Sequence, residues 1–261
     1  MFRSLATAAS GMEAQQTKLD VTANNIANVS TNGFKKGRAE FADLIYQQTR
    51  GAGSATGQGT SAPSGTEIGL GVRLTSTARE HSQGELHNTG NQLDVAIEGK
   101  GFLPVTMPNG QTQYTRNGAL QMTAEGKLVT SEGFAVGGDI TIPPDAQSVT
   151  ISANGTVTAT VASDSAPVEL GQIQIATFAN AGGLEAQGGN LFRETSASGS
   201  AVLGNPGEGG AGNLRQGMLE VSNVNVVEEM VDLISGQRAY EVNSRVIKAA
   251  DEMLGETAQL R

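Results

Sequence analysis

The chain has 261 residues, enough for one large domain or two modest ones. It carries 17 Lys and Arg against 26 Asp and Glu, a formal net charge of −9, which excludes an electrostatic footprint for nucleic acid or anionic lipid. The chain has no cysteine, so disulfides, thiolate metal sites and a cysteine nucleophile are excluded.

Glycine is abundant and aromatic residues are scarce. There are 35 glycines, nearly twice the usual share of about 7%, and aromatic residues make up 4% of the chain without any tryptophan. Aromatic rings supply much of the buried area of compact enzymes. We therefore expect this chain to bury Val, Ile, Leu and Ala in its own core, or to bury surface against other subunits.

The N-terminal segment, residues 1–28, has a helical period. Its apolar residues recur every seven positions at Leu5, Met12, Leu19 and Ile26. Turn-forming residues after Ile26 predict that the helix ends near residue 28. This segment lacks the apolar stretch of a secretory signal, and no run in the chain approaches the ~18 apolar residues of a membrane span.

The C-terminal segment mirrors the first. Asn225 can cap a helix, and Glu228 stands at the spacing of a capping box, so we predict a helix over about 226–256. The seven-residue repeat of this helix comprises Val226, Leu233, Tyr240, Ile247 and Leu254. The two apolar seams predict that the terminal helices pair with each other. An ordinary helical hairpin packed on its own domain is an equal alternative.

The middle of the chain has the pattern of an antiparallel β-structure. Turn signals such as Asn117-Gly118 and Glu125-Gly126 separate short alternating runs. Strands are predicted within 101–107, 111–116, 119–123, 127–130, 148–152, 156–161 and 172–178. A meander of hairpins predicts a sandwich or a partly open barrel, so the fold class is α+β.

Two glycine-rich stretches, residues 50–71 and 196–212, have the composition of flexible loops. In the first, Ile68, Leu70, Val72 and Leu74 alternate with other residues at strand period. This alternation predicts an extended, hairpin-like arm that lies between the helices and the β-domain and touches neighbouring subunits. The alternative is a linker without structure.

Residue patterns for catalysis or cofactor binding are weak. Gly207–Gly212 matches G-x-G-x-x-G, but a strand-like run follows it instead of the helix that nucleotide binding requires. His81 and His87 are too far apart for a shared helix face, so we expect surface or hydrogen-bonded loop residues there. Asp94 and Glu98 are nearby carboxylates, but the sequence alone does not give them the geometry that acid–base catalysis needs. The sequence therefore predicts no enzyme, no cofactor and no metal site.

Several strings resemble the signatures of bacterial flagellar axial proteins, the family of rod, hook and hook-associated proteins. The N-terminal string runs from Ala23 to Lys35, and the C-terminal strings cover 222–233 and 237–244. The middle strings cover 94–102 and 114–118. The signature residues are Asn24, Asn25, Asn28, Ser30, Asn32, Gly33, Phe34, Gln237, Arg238, Ala239 and Tyr240.

Within this family the chain is most similar to the distal-rod branch, because hook proteins are longer and proximal rod proteins lack a comparable stretch at 46–72. The residues of this inter-subunit arm are Tyr46, Pro63, Gly65, Ile68, Gly69, Gly71 and Val72. The resemblance divides the chain into an N-terminal inner helix (1–30), a connecting arm (31–80), an outer β-domain (81–221) and a C-terminal inner helix (222–261). The two helices would form an inner coiled-coil domain.

The resemblance implies a structural subunit that polymerises helically into a rigid hollow drive shaft, transmits torque from motor to hook and encloses the export channel. The implied partners are further copies of the chain, proximal rod proteins, the hook protein, the L- and P-ring bushing proteins and the flagellar type III export apparatus. Nucleic acid and direct membrane insertion are not expected. The location would be the periplasm-spanning rod of the basal body, reached without a cleaved signal peptide. A proximal rod or hook subunit, a secreted adhesin-like binding module and a cell-wall hydrolase are the alternatives.

Overall fold

The computed structural model describes residues 2–57, 60–61, 63–137, 140–161 and 164–259. Two long helices stand at the ends of this part of the chain, α1 (Phe2–Ala27) and α2 (Val226–Gln259). A short 3₁₀ turn covers Ala181–Gly183. The strands are β1 (Gly37–Asp43), β2 (Tyr46–Arg50), β3 (Ala55–Gly57), β4 (Thr60–Ser61), β5 (Thr66–Gly69), β6 (Val72–Arg79), β7 (Leu86–Asn88), β8 (Val95–Glu98), β9 (Leu103–Thr106), β10 (Thr112–Thr115), β11 (Leu120–Met122), β12 (Leu128–Thr130), β13 (Ala135–Val136), β14 (Ala146–Ile151), β15 (Thr156–Val161), β16 (Asp164–Gln172), β17 (Ile175–Thr177), β18 (Glu185–Gly188), β19 (Leu191–Arg193), β20 (Val202–Gly204), β21 (Asn213–Gln216) and β22 (Met218–Glu220).

The chain forms two compact units. The first contains Met1–Ala27, Gly37–Ala78 and Asn225–Arg261, and the second contains Asn28–Lys36 and Arg79–Val224. The segment that follows α1, residues 28–36, thus belongs to the second unit, whereas the inter-subunit stretch 46–72 of the arm belongs to the first. The division into an inner N-terminal helix, a connecting arm, an outer β-domain and an inner C-terminal helix stays a prediction.

In the first unit the two terminal helices pack against each other in antiparallel order. Lys18 forms an ion pair with Asp232, with 3.0 Å between Nζ and Oδ1, and Asn25 donates to Glu229 over 3.1 Å. Asn225 begins α2 as its N-cap, because its Oδ1 accepts the Val227 amide at 3.1 Å. The predicted pairing of the chain ends is confirmed, and so is the α+β class.

The arm of the first unit is a β-hairpin. Strand β2 pairs antiparallel with β5, placing Tyr46 opposite Gly69 and Gln47 opposite Ile68, and β3 pairs with β4 further out. Strands β1 and β6 pair at its base. The strand alternation noted at Ile68 therefore corresponds to real strand pairing, and these residues are not a linker without structure.

The second unit is built from antiparallel strands. A seven-stranded sheet has the order β11-β12-β13-β9-β10-β19-β18, and a three-stranded sheet has the order β14-β15-β16. The shorter pairs are β17 with β20, β8 with β21, and β7 with β22. Because β11 and β18 lie at opposite edges, the large sheet is open and forms no closed barrel.

Aliphatic side chains fill the core of the second unit. Its members are all buried: Val95, Ile97, Leu103, Val105, Leu120, Leu128, Val136, Ile140, Ile142, Ile151, Val157, Ile173, Ile175, Leu191 and Leu214. A smaller cluster around Phe102, Tyr114 and Phe192 collects most of the rings of this unit. The composition predicted an aliphatic core, since branched aliphatic residues supply the buried area where aromatic rings are few.

Candidate assembly surfaces and the buried ionic cluster

Small residues make the contact between α1 and α2. A Cβ on Gly236 would lie 3.0 Å from Leu19 Cδ2, and a Cβ on Gly11 would lie 3.1 Å from Asn243 Nδ2. Ala14 and Ala250 are buried on the same helices. Side chains of each helix therefore pack onto a glycine of the other, where a larger residue would collide with Leu19 or Asn243.

The seven-residue seams are buried only in part by this pairing. Val226 and Tyr240 are 40% and 42% exposed in the single chain. The other seam residues are half-buried: Leu5, Met12, Leu19, Ile26, Leu233, Ile247 and Leu254. Repeat spacing places residues on one face, but Gly11 and Gly236 also lie in this contact, and a search for large apolar side chains does not find them.

Helix α2 also carries large aliphatic side chains on the face turned away from α1. We call this set the outer stripe; it comprises Val227, Val231, Ile234, Val242, Val246 and Met253, all exposed. At 100° per residue these positions lie within about 120° of each other, opposite Gly236 and Asn243. A helix that is apolar on two opposite faces is typical of helices buried on both sides.

Asn25 is the buried centre of the N-terminal signature. Its Oδ1 accepts the Gly37 amide at 2.9 Å, and its Nδ2 donates to the Gly37 carbonyl at 2.9 Å as well as to Glu229. One amide side chain thus ties α1, the start of β1 and α2 together. Glu229 is itself buried, so loss of Asn25 would remove a neutral donor from a carboxylate in the interior.

The rest of this signature shapes a turn in the second unit. Asn28 accepts from Thr31 through both its carbonyl and its side chain, while Ser30 is exposed. The Asn32 carbonyl accepts from Asn190 Nδ2 at 2.9 Å. Asn24 is also exposed. The turn delivers the next residues, Gly33 to Lys35, into the interior.

Gly33 and Phe34 explain why this turn needs its particular residues. Gly33 has φ of 71°, its amide donates to the Glu220 carbonyl at 2.8 Å, and a Cβ there would lie 2.7 Å from the backbone of Arg116 and Asn117. Phe34 is buried beneath the Arg79 guanidinium, whose Cζ lies 5.7 Å from the ring centre. Only glycine fits the first position.

The C-terminal signature has a different environment. Gln237 and Arg238 are exposed on α2, and Ala239 is half-buried. Because consecutive residues are 100° apart on a helix, these three and Tyr240 point in different directions, with Arg238 in the sector of the outer stripe and Tyr240 on the opposite side. Folding of the single chain does not require these four side chains to be buried, so their role stays a prediction about contacts between subunits.

Glu220 is the centre of a buried ionic cluster in the second unit. Its Oε1 lies 2.6 Å from Lys35 Nζ, and its Oε2 lies 2.7 Å from an Arg116 guanidinium nitrogen. The Gly84 amide also donates to Oε1 at 2.9 Å. The side chains of Lys35, Arg116 and Glu220 are 1%, 4% and 0% exposed. Charges this deeply buried persist only when their hydrogen bonds are satisfied.

Backbone carbonyls complete the cluster. Arg116 donates to the carbonyls of Gly99 and Gly101 at 2.9 and 2.7 Å, and Lys35 donates to the Ser82 carbonyl at 2.6 Å. Burial lowers the pKa of Lys35 and of Arg116, and Glu220 opposes both shifts. Lys35 and Arg116 stand within family strings of the sequence, but nothing in their spacing connects them to Glu220.

His81 differs from the expectation of a surface or hydrogen-bonded residue, which is wrong at this position. Its ring packs edge-on against Phe102 and Phe192, with centroids 5.6 and 5.5 Å apart. Both ring nitrogens are buried, and neither has a hydrogen-bond partner in the described part of the chain. Burial, followed by the nearby charges of Lys35, Arg79 and Arg116, lowers the pKa of His81 to about 4. His87, in β7, is exposed as expected.

This environment predicts an acid-sensitive second unit. The pKa of His81 falls from an ordinary 6.5 to about 4 on folding, so between these values the unfolded chain binds a proton that the folded chain does not. Above pH 6.5 the second unit loses no stability through His81. As the pH drops from 6.5 toward 4, its free energy of unfolding falls by about 2 kcal/mol after allowance for the partial exposure of His81. The free energy of unfolding of His81→Phe, measured with urea between pH 7 and 4, should fall less steeply with decreasing pH than that of the parent chain. The control, His87→Gln, should keep the parent's slope; an unchanged slope in His81→Phe contradicts the assignment.

The arm exposes apolar side chains of its own. Tyr46, Ile68 and Leu70 are exposed, as is Ile45 at its base. Tyr46 lies across from Gly69, where a Cβ would be 3.3 Å from the ring. Pro63 is exposed near the outer part, and Val72 is half-buried. At Gly65 a Cβ would be 2.8 Å from the Arg50 carbonyl oxygen, so the hairpin is narrow there.

Gly71 joins the arm to α1. It has φ of 122°, its carbonyl accepts the Leu44 amide at 2.8 Å, and a Cβ there would lie 2.2 Å from Ser10 Oγ. The following amide, of Val72, donates to the same hydroxyl at 3.4 Å. The base of the hairpin is thus seated on α1, and both the conformation and the space at this position require glycine.

The remaining features concern nucleotide binding, metal binding and membrane-spanning helices. The segment Gly207–Gly212 lies between β20 and β21, with no helix after it, so it is not a dinucleotide loop. Within the described residues, no group of three or more His, Asp or Glu is arranged to hold a metal ion. Neither described helix combines the length and the apolar character needed to cross a membrane.

Comparison with known proteins identifies the family. Residues 5–35 match the family of flagella basal body rod proteins, residues 96–159 the D1 domain of flagellar hook protein FlgE/F/G, and residues 215–260 the C-terminal family of flagellar basal body rod FlgEFG proteins. The flagellar basal-body rod protein FlgG of Caulobacter vibrioides is 49% identical, with both chains covered completely. FlgG of Borreliella burgdorferi is 47% identical over 100% of this chain and 99% of its own, and FlgG of Bacillus subtilis is 43% identical over both full lengths. The chain therefore belongs to the family of flagellar basal-body rod proteins.

Proposed function

We propose that the chain is a structural subunit of the flagellar distal rod, which polymerises with further copies into a rigid hollow shaft that carries torque to the hook. Full-length similarity to FlgG proteins supports the distal-rod assignment, and the outer stripe of α2 is the observation that carries the proposed assembly. A structural role in the basal body follows from the family, and it replaces the adhesin-like and hydrolase alternatives.

The outer stripe supports assembly because of what it would cost a solitary subunit. Its six large apolar side chains are exposed in one sector of a helix whose other side packs against α1, a sector that also contains Arg238 and Arg245. Burial of such side chains is worth about 1.5–3 kcal/mol each, so association of several copies is strongly favoured. Several large exposed apolar side chains on one side of a helix are typical of a site of protein association.

Substitution of Val231 tests the assembly surface. We expect Val231→Asp to leave the folded monomer intact, because this side chain is 62% exposed, but to abolish polymerisation, because a charge buried between subunits has no partner. Sedimentation and electron microscopy of purified material provide the readout. Met122→Asp, on the second unit and 51% exposed, is the control that should polymerise normally. Normal rods from Val231→Asp contradict the proposal.

The seam itself has a related test. Leu19→Asp should prevent assembly by a different route, since Leu19 packs against Gly236 and the charge would separate the two helices. The monomer of this variant should lose helical signal in far-UV circular dichroism, whereas Val231→Asp should retain it. A Leu19→Asp chain that forms rods overturns the assigned pairing.

We also propose specific binding partners and an export route for the chain. The chain would contact proximal rod proteins on one side, the hook protein on the other, and the L- and P-ring bushing proteins around it. Passage through the flagellar type III export apparatus without a cleaved signal would place it in the periplasm-spanning rod. The absence of cysteine agrees with threading of an unfolded chain, because no disulfide can form before assembly.

The arm would brace neighbouring subunits against sliding. Deletion of residues 51–61 should leave a polymer that forms but bends more easily, because the outer part of the hairpin is removed while Gly71 and the base stay seated on α1. The measurement is the persistence length of assembled rods in electron micrographs. Replacement of the same residues by a Gly-Ser sequence of equal length separates loss of contacts from shortening. Straight rods of unchanged stiffness would show that the arm is only a linker and does not brace neighbouring subunits.

A further inference from the structure

The second unit contains a cavity of about 820 Å³ that the assembly proposal does not use. Its floor includes Lys35 and Arg116 of the ionic cluster, and its apolar wall includes Phe102, Phe178 and Val202. This volume lies within the range of small-molecule sites and exceeds what a single inorganic ion fills.

The charge lining this cavity is opposite to that of the chain. Although the chain has a net charge of −9, the lining contains Lys35, Lys100 and Arg116 and, among the described residues, no Asp or Glu. Glu220 lies behind the lining and neutralises one of these cations. An excess of positive charge remains, and a partly enclosed, low-dielectric site strengthens its attraction for an anion.

The glycine-rich loop adds donors to the same cavity. Gly209 and Gly210 line it at φ of 59° and 84°, and their amides donate to no acceptor within the described chain. The Gly212 amide donates to the Lys100 carbonyl at 2.7 Å, which holds the loop beside the lysine. The glycine-rich motif is not a dinucleotide loop, but it lines the same cavity as Lys100 with two backbone N–H groups that have no acceptor in the described chain.

We propose that this cavity binds a carboxylate that carries an apolar body, with the carboxylate at Lys100 and the glycine loop and the apolar part against Phe102 and Phe178. Two sources share this chemistry: a free organic acid, or an acidic side chain with its apolar neighbours from a second copy of the chain. Lys35 and Arg116 already have their hydrogen bonds within the cluster, so they contribute charge at a distance and Lys100 makes the contact.

The experiment uses the full-length monomer with 3-phenylpropanoate as the probe and its neutral amide as the matched ligand. We expect the acid to bind with a Kd in the millimolar range or below and to shift the amide resonances of Gly209 and Gly210, while the neutral amide binds at least about tenfold more weakly. Lys100→Gln should weaken binding of the acid by at least about tenfold. Lys127→Gln removes the same charge away from the cavity and should leave binding unchanged.

A second arm distinguishes the two sources. If the natural occupant is a carboxylate of another copy, Lys100→Gln should also raise the critical concentration for polymerisation, and 3-phenylpropanoate should inhibit assembly of the parent chain. If the occupant is a free acid, binding to the monomer is seen without either effect on assembly. The proposal is overturned if the probe does not bind, or binds Lys100→Gln as well as the parent. Neither result bears on the outer stripe, which Val231→Asp tests separately.

Discussion

Replacement of Glu220 by glutamine is expected to destabilise the second unit by about 3–5 kcal/mol, a large share of the stability of a domain. The substitution keeps the shape of the side chain but leaves Lys35 and Arg116 buried without a counter-charge. Their Nζ and guanidinium nitrogens lie 2.6 and 2.7 Å from the two carboxylate oxygens, so both cations lose their main electrostatic partner. Urea unfolding followed by far-UV circular dichroism measures the change.

Two further variants separate the buried cluster from an ordinary ion pair. Glu98→Gln breaks the surface pair with Arg215, whose side chains are 45% and 53% exposed, and should cost less than about 1 kcal/mol. Lys35→Met leaves the Glu220–Arg116 pair neutral, so it should cost less than Glu220→Gln. Equal effects of Glu220→Gln and Glu98→Gln would mean that the cluster contributes no more than a surface ion pair.

The second large effect is expected at Gly33. Gly33→Ala should cost about 3 kcal/mol or more, since it combines the strain of a residue with φ of 71° with a Cβ only 2.7 Å from the Arg116 and Asn117 backbone. Movement of that backbone would also disturb Arg116, whose side chain depends on its exact place in the cluster. The same unfolding experiment gives the free energy change.

Gly110→Ala is the matched control for Gly33→Ala. Its φ of 79° is similar, but a Cβ there meets no atom within 4 Å. It should therefore cost only the conformational strain, about 1–2 kcal/mol. The difference between the two variants measures the steric term alone. Equal costs would show that the close approach at Gly33 is relieved by small shifts.

Local patterns determined the secondary structure of this protein. The seven-residue repeats at both ends predicted the two helices because a helical face is a property of neighbouring turns. Asn225 marked the start of α2 because a cap acts within three residues, and its side chain does accept the Val227 amide. The turn residues between strands predicted the hairpins for the same reason, since a turn and its two flanking strands are contiguous.

Tertiary structure alone decided which of these features meet. Lys35 and Arg116 lie 185 and 104 positions from Glu220, so no spacing rule connects them, and only the fold shows that one carboxylate serves two cations. The face of α2 that meets α1 depended on Gly11 and Gly236, where the absence of a side chain leaves room for Asn243 and Leu19 of the facing helix. The sequence predicted a surface or hydrogen-bonded loop residue at His81, whereas its ring is packed against Phe102 and Phe192, which come from distant parts of the chain. Periodicity reports the chain's local geometry, but burial and charge pairing are properties of residues brought together from far apart.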